Sequence, residues 1–303
     1  MRRAISRIGL AIALAACSKH HDAPSTGSAA PVGSNAGLPF DEITVDLPPG
    51  ESDLSIDDKG HLWAVAERDH VISELELVPN GPPKITPHPM DGVPDGVDTE
   101  SLAWLGNGNF VIGTEGQHEP SASLLAGHLE ANGHITVTPK LSFTNDQLGL
   151  TLIENHGAEA LCGHGDDVYV AIESTAVTPE GKRWAPFVHV HGDQVVGVQK
   201  LLLTSDKGKI SAIDCDFGMG LEVRAIERHY GVSRIVSFDV VPGKPELAAV
   251  VDLDLWPIVR DHYHEKLNLE GIVTTPDGRW VLINDDQGAN VDGPTMLFVF
   301  HKR

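Results

Sequence analysis

The sequence predicts an all-β fold: a β-propeller of five four-stranded blades, its ring closed by pairing of the N-terminal strand with the C-terminal strand. Three observations lead there. A strand–turn–strand pattern ending in an acidic residue recurs five times, further strand-like runs follow each recurrence, and almost no stretch shows the apolar period of an amphipathic helix.

The chain opens with a different element. Arg2, Arg3 and Arg7 precede a short apolar stretch at residues 8–16, too short for a stable bilayer span, which ends in Leu14-Ala15-Ala16-Cys17. Small residues followed at once by Cys resemble the lipobox of bacterial lipoproteins, which implies lipidation at Cys17; Ser18 then favours the outer membrane. An ordinary signal peptide that happens to contain Cys is the alternative. Residues 18–37 are rich in Ser, Ala, Pro, Gly and Asn with almost no large apolar groups, a composition that cannot offset its ordering entropy and suits a tether. The expected organisation is therefore a signal peptide at 1–16, a lipidated Cys and flexible tether at 17–37, and a propeller at 38–303, exported and lipid-anchored in the bacterial envelope.

Charge narrows the partners. The 303-residue chain carries a formal −21, and losing Arg2, Arg3 and Arg7 with the signal takes it to −24. Such a surface argues against nucleic acid and anionic lipid as electrostatic partners, and suits cations, divalent metals or simple solubility. The expected partner is a small molecule or an envelope ligand, with membrane contact only through the lipid and a monomeric state. Cys162 and Cys215 fall in corresponding strands of neighbouring repeats. Export permits a disulfide, whereas strand-to-strand distances argue against one; the reading favours separate thiols and leaves pairing open.

The repeats follow in order. Their leading strands start at Ser52, Glu100, Glu159, Ser211 and Glu270, and their second strands end at Glu67, Glu115, Glu173, Glu227 and Asp285. Lead and closing acid are separated by 15, 15, 14, 16 and 15 residues, and the leads by 48, 59, 52 and 59. Asp57-Asp58-Lys59-Gly60, Gly106-Asn107-Gly108-Asn109, Gly163-His164-Gly165-Asp166 and Pro276-Asp277-Gly278 supply hairpin turns. Outer strands are expected at 123–129 and 135–143, 187–191 and 195–203, 234–241 and 247–252, and 296–300. The last repeat lacks a fourth strand, and residues 43–47 offer one, which would remove the open edge. Six blades stay open if the connections at 144–156 or 253–266 hide a weak one.

In a propeller the start of each first strand and the end of each second meet at one face. Eight carboxylates and two hydroxyls are thus expected around one channel mouth. Like charges so close need compensation. A hard cation such as Ca²⁺, which takes six to eight oxygens, is one route; pairing with Arg68, Arg224 or Arg228 is another; backbone N–H groups of the next blade, making each Glu a clip between blades, are a third.

Several segments carry a family resemblance. Ile226-Glu227-Arg228, Asn268-Leu269-Glu270-Gly271-Ile272 and Leu282-Ile283-Asn284-Asp285-Asp286 occur in that order, preceded by Asn155-His156-Gly157-Ala158-Glu159-Ala160-Leu161. They resemble the aliphatic-Glu-Arg, Asn-Phe-Glu-Gly, Ser-Asp-Asp and Asn-x-Gly-x-Glu-Gly-Leu segments of the family described as "esterase-like activity of phytase", over about residues 52–300. Ser101 and Ala160 replace Gly after two leads, and Leu269 replaces an aromatic. The resemblance implies hydrolysis of an ester or phosphoester with Ca²⁺ assistance. Glu100, Glu159, Glu270 and Asp285 would serve as metal ligands, Glu115, Glu173, Glu227 and Asp285 as further ligands or general base, and Arg228 would hold an anionic group.

Other chemistry is thin. The sequence has no Gly-x-Ser-x-Gly elbow, no His-Glu-x-x-His and no phosphate-cradling Gly loop. Ser52 and Ser211 read as turn hydroxyls. His189 with His191 and His262 with His264 can pair on a strand face, while His118 and His156 follow mouth-side strands. Two readings stand: a metal-dependent esterase or phosphoesterase, and a non-catalytic propeller presenting an acidic mouth to a protein, glycan or cationic ligand.

Overall fold

The structure is a computed structural model in which residues 37–79, 81–287, 291 and 293–302 are described. The expected signal peptide and Cys17, with all but the last residue of the expected tether, lie outside the described residues.

Strand β1 (Phe40–Thr44) comes first in the chain but belongs to the last sheet. The first unit is then β2 (Glu51–Ile56), β3 (Leu62–Ala66), β4 (Val71–Glu76) and β5 (Lys84–Asp91), antiparallel in chain order. The second is β6 (Val97–Gly106), β7 (Asn109–Gly116), β8 (Ala122–Leu129) and β9 (Ile135–Ser142). A short connection at 144–156 holds helix α1 (Asn145–Leu148), whose Thr144 and Gln147 form a capping box. The third unit is β10 (Ala158–His164), β11 (Asp167–Ile172), β13 (Arg183–His191) and β14 (Gln194–Leu202), with the two-residue β12 (Ala176–Val177) beside β13. The fourth is β15 (Lys209–Asp216), β16 (Leu221–His229), β17 (Val232–Val240) and β19 (Val250–Asp254), while β18 (Glu246–Ala248) pairs in parallel with β14 of the unit before. Helix α2 (Trp256–Asp261) leads to the last unit, β20 (Asn268–Thr274), β21 (Trp280–Asp285) and β22 (Met296–Phe300), completed by β1.

The innermost strands touch in cyclic order, β2, β6, β10, β15, β20 and back to β2. Five apolar clusters fill the five seams so created. Leu102, Phe110 and Ile112 of the second unit meet Trp63, Val65 and Ile72 of the first, for example, and Val273, Ile283 and Leu297 of the last meet Leu54, Leu62 and Leu75 of the first. A sheet packed on both faces needs apolar side chains on both. That is why Leu62-Trp63-Ala64-Val65-Ala66 is buried at every position instead of alternating.

The closing strand forms where expected but three residues earlier: Phe40 pairs with Phe300 and Thr44 with Met296. Pro48 and Pro49 cannot donate to a ladder, and Phe40 sits edge-on against Phe298 and Phe300 at 5.2 and 5.1 Å, which fixes the register. The two long connections carry the short helices α1 and α2 in place of further strands. The cysteine reading needs correction. Cys162 and Cys215 lie on adjacent inner strands with Cα atoms 5.8 Å apart, inside the disulfide range, and they are bonded.

Candidate functional site

Each inner strand slips register at the same point. The breaks fall between Glu51 and Asp53, Thr99 and Ser101, Ala158 and Ala160, Ile210 and Ala212, and Leu269 and Gly271. The skipped residues are Ser52, Glu100, Glu159, Ser211 and Glu270, the five lead residues of the repeat. A β-bulge re-aims its extra side chain, so five equivalent bulges direct five equivalent oxygen-bearing groups at one mouth. Close approach of neighbouring units is part of the same design. A Cβ on Gly271 would lie 2.7 Å from the Leu54 nitrogen, and one on Gly157 would lie 2.4 Å from the Glu115 Cβ.

On the side built by the third, fourth and fifth units, the acids are matched by cations and donors. Arg228 donates through Nε to Glu270 Oε2 at 3.0 Å, makes a second contact from Nη2 to Glu270 Oε1, and lies 3.8 Å from Glu159 Oε1. Burial opposes the charge on this guanidinium, but Glu270, Glu173 and Glu159 outweigh it and hold it protonated above its usual range. Burial raises the Glu270 carboxyl and Arg228 draws it back down. Asn268 donates to Glu270 Oε1 at 2.7 Å and to Asp285 Oδ2 at 3.0 Å. Lys209 pairs with Glu173, and His156 Nε2 stands 3.7 Å from the same carboxylate. Glu227 has turned away from the mouth. It accepts from the Thr204 N–H at 2.8 Å and from the Thr204 and Ser205 hydroxyls at 2.6 Å each, the clip arrangement.

The side built by the first and second units is different. Oxygens of Glu67, Asp98 and Glu100 lie within 4.8 Å of one another. Arg68, the cation paired with them among the described residues, is 62% exposed, 2.8 Å from Glu67 Oε1 and 3.8 Å from Asp98 Oδ2. Glu100 is buried with Oε1 lacking a hydrogen-bond partner among the described residues, and burial together with Glu115, Glu67, Glu270 and Asp98 raises its carboxyl well above the ordinary value. Glu51, fully buried, has neither oxygen partnered among the described residues and is raised by burial, Asp286, Asp69 and Asp285. Glu115 is pushed up to about 7 by burial and then by Glu173, against the Gly157 N–H that donates to its Oε2 at 3.1 Å. The oxygen-only donor set around Glu67, Asp98 and Glu100 fits a hard divalent cation.

A cleft of about 570 Å³ borders the matched side. Lys209, Arg228, His229, His264 and Lys266 contribute to its walls, and Asn268 joins it to the Glu270–Asp285 pair. His264 and Glu265 on its rim both adopt the left-handed conformation, at φ 55° and 65°.

Sequence reasoning missed Glu51, Asp98 and Asp53. Glu51 and Asp98 lie one and two residues before a lead, and the Asp98-x-Glu100 spacing, two acids beside one lead position, is a signal that could have found the second. Asp53 Oδ2 accepts from the Leu102 N–H at 3.0 Å, stitching two inner strands. Ser52 donates to the carbonyl of Gly50 two residues back, as a turn hydroxyl does, whereas Ser211, also expected to satisfy a turn, donates to the Leu269 carbonyl of the neighbouring inner strand and clips two units together. His189 and His191 both meet Asp167 Oδ1, at 2.7 and 3.0 Å, on a third strand. His262 and His264 follow α2 instead of lying on a strand, and His118 is exposed.

Fold and mouth together define a β-propeller with an axial opening lined by acids. The chain belongs to the phytase-like family, described as "esterase-like activity of phytase", whose model matches residues 49–288. No curated protein sequence matches it significantly. Among solved structures, it is similar to the PQQ-bound aldose sugar dehydrogenase of Streptomyces coelicolor, at 10% identity over 85% of this chain and 95% of that one, with a TM-score of 0.48. The calcium-binding protein regucalcin of Agrobacterium tumefaciens strain C58 is 14% identical over 87% and 96%, at 0.46. An exo-β-1,3-galactanase of Phanerochaete chrysosporium is 10% identical over 90% and 63%, at 0.54. Likeness at such identities is one of fold, and of these three the galactanase carries it.

Proposed function

We propose that the protein is a divalent-cation-dependent hydrolase of esters bearing an anionic group, phosphoesters foremost, working at the acidic mouth as an exported, lipid-anchored envelope protein. The observation that carries the reading is the buried Glu100 carboxyl, one oxygen unpartnered, within 4.8 Å of Glu67 and Asp98 oxygens. These three residues would hold Ca²⁺, which supplies Lewis acidity toward an ester oxygen and acidifies coordinated water. Glu115, with a carboxyl at about 7 and its orientation held by the Gly157 N–H, suits proton acceptance near neutral pH. The cleft walled by Lys209, Arg228 and Lys266 suits an anionic substrate group, with Arg228 and Asn268 linking the cleft to the mouth. Glu159 and Glu270 serve this reading as anchors for Arg228 and not as metal ligands.

The rival is a binding propeller without turnover. It is favoured by the hydroxyls of Ser52 and Ser211, both engaged with backbone carbonyls and neither placed as a nucleophile. Calorimetric titration of the EDTA-treated chain with Ca²⁺, beside turnover of nitrophenyl phosphates and esters, separates the two. Hydrolysis lost with EDTA and in Glu100→Gln, with Glu115→Gln lowering kcat far more than it changes KM, is the expected outcome. Ca²⁺ binding without turnover of any ester would leave the binding reading, and no Ca²⁺ binding would remove the metal-dependent hydrolase.

A further inference from the structure

A second cluster lies at the other end of the inner strands, on the seam between the first two units. Asp57 follows β2, His61 precedes β3, Glu74 is on β4 and His88 is on β5. We propose that these four residues form a site for a zinc-type transition ion, distinct from the mouth.

The Asp57 carboxylate is oriented for it. Its Oδ1 accepts from the N–H groups of Lys59 at 2.8 Å and His61 at 2.9 Å, locking the hairpin turn, and Oδ2 stands 3.7 Å from His61 Nδ1. His61 Nδ1 is also 2.6 Å from Glu74 Oε1. Ligand atoms of Asp57, His61 and Glu74 all fall within 4.8 Å of one another.

His88 supplies the independent observation. Its Nδ1 lies 2.8 Å from the carbonyl oxygen of Gly133, in the β8–β9 turn of the second unit. A carbonyl only accepts, so Nδ1 carries the proton and Nε2 of the neutral ring is a bare lone pair. That Nε2 is buried, belongs to a side chain 8% exposed and has no hydrogen-bond partner, yet it lies 3.6 Å from Glu74 Oε2. Two electron-rich atoms face each other at a distance too long for a hydrogen bond and well suited to a shared cation. Metal-binding imidazoles commonly donate their other N–H to a backbone carbonyl, which fixes the ring as it is fixed here. The Trp63 ring, 5.3 Å from the His88 ring, supports it from the side.

Donor type selects the ion. Two imidazole nitrogens with two carboxylates suit Zn²⁺ and similar borderline ions, whereas Ca²⁺ takes oxygen. Bonds of about 2.0–2.2 Å place tetrahedral donors roughly 3.3–3.6 Å apart, close to the 3.7 Å from Asp57 to His61 and the 3.6 Å from Glu74 to His88. His88 stands outside the trio whose ligand atoms all lie within 4.8 Å of one another, so its ring must close on them as the ion binds. Binding would displace the proton from His61 Nδ1 and break its contact with Glu74. The bound ion would tie the β2–β3 turn, β4 and β5 together, and through Gly133 would tie the first unit to the second.

The test uses the full chain, stripped with a chelator and titrated with Zn²⁺, with Co²⁺ as a spectroscopic probe. One Zn²⁺ per chain, a tetrahedral Co²⁺ visible band and imidazole scattering in the zinc X-ray absorption spectrum are expected. His61→Ala and Glu74→Gln, at partly exposed positions, should each weaken binding by about 100-fold or more, while Glu100→Gln at the mouth leaves it unchanged. Near-unchanged circular dichroism shows that the variants fold, and His88→Gln should agree with them. Absence of tight Zn²⁺ binding, equal affinity in Glu74→Gln, or loss in Glu100→Gln in place of the other variants would overturn the proposal.

Discussion

The two sides of the mouth are built from one repeat and handle its charge in opposite ways. Where the third, fourth and fifth units meet, Arg228 spans Glu270 and Glu159, Lys209 takes Glu173, and Asn268 bridges Glu270 to Asp285. On the first and second units, Glu51 and Glu100 keep oxygens in buried positions without a partner among the described residues, and Arg68 beside Glu67 and Asp98 lies mostly in solvent. Equivalent backbone positions therefore do not imply equivalent chemistry. The bulge aims the side chain, and the residue after the closing acid decides whether its charge is neutralised or left for a ligand: Arg228 follows Glu227 and is 16% exposed, Arg68 follows Glu67 and is 62% exposed.

The sharpest way to break this comparison is Arg228→Met. Removing one partner from a buried charge pair leaves carboxylates stranded at Glu270 and Glu159, and a loss of about 3–5 kcal/mol in urea unfolding at pH 8 is expected. The loss should shrink at pH 5, where those carboxyls can protonate. An unchanged midpoint would mean that the matched side is no more dependent on its cation than the other.

A smaller effect is expected from pH alone. Glu115 moves from 4.5 to about 7, and Glu51 and Glu100 are also raised, so the folded protein binds protons more tightly than the unfolded chain. The Glu115 contribution is full below about 4.5 and is lost as pH rises through about 7, and the contributions of Glu51 and Glu100 have the same sign. The Tm of the metal-free protein should fall across that interval, and saturating Ca²⁺ should flatten the fall. A metal-free Tm that rises from pH 5 to 8 would contradict the assignment of uncompensated acids.

The least of these effects belongs to Glu100→Gln without metal. Deleting one repelling buried charge should leave the protein as stable or about 1 kcal/mol more stable at pH 8, the opposite sign from Arg228→Met. Paired denaturation curves of the two variants read the comparison directly.

Most of the architecture was legible because local pattern and global fold agree. Five strand pairs, their turns and the closing strand follow from apolar runs between Gly, Asn and Asp clusters. The register of β1 was not legible, since it depends on Phe40 meeting Phe298 and Phe300 across almost the whole chain. The parallel crossing of β18 to β14 and the Cys162–Cys215 bond are likewise contacts between units that no local pattern encodes. At the mouth, the ten lead and closing positions could be read from spacing. Which acids are neutralised could not, because that depends on Arg228 burying itself between two units while Arg68 stays in solvent. The Asp57–His61–Glu74–His88 cluster was invisible for the same reason: its members come from a turn and two outer strands and share no spacing motif.

The seam between β1 and β22 carries a consequence for biogenesis. β1 is among the first strands synthesised and its partner is the last, so the emerging chain must hold a lone edge, Phe40 included, until translation of the final sheet is complete. Circular closure then becomes a late, long-range event whose speed is set by loop-closure entropy rather than by local propensity. A chaperone that shields exposed strand edges would find this segment open from early in synthesis.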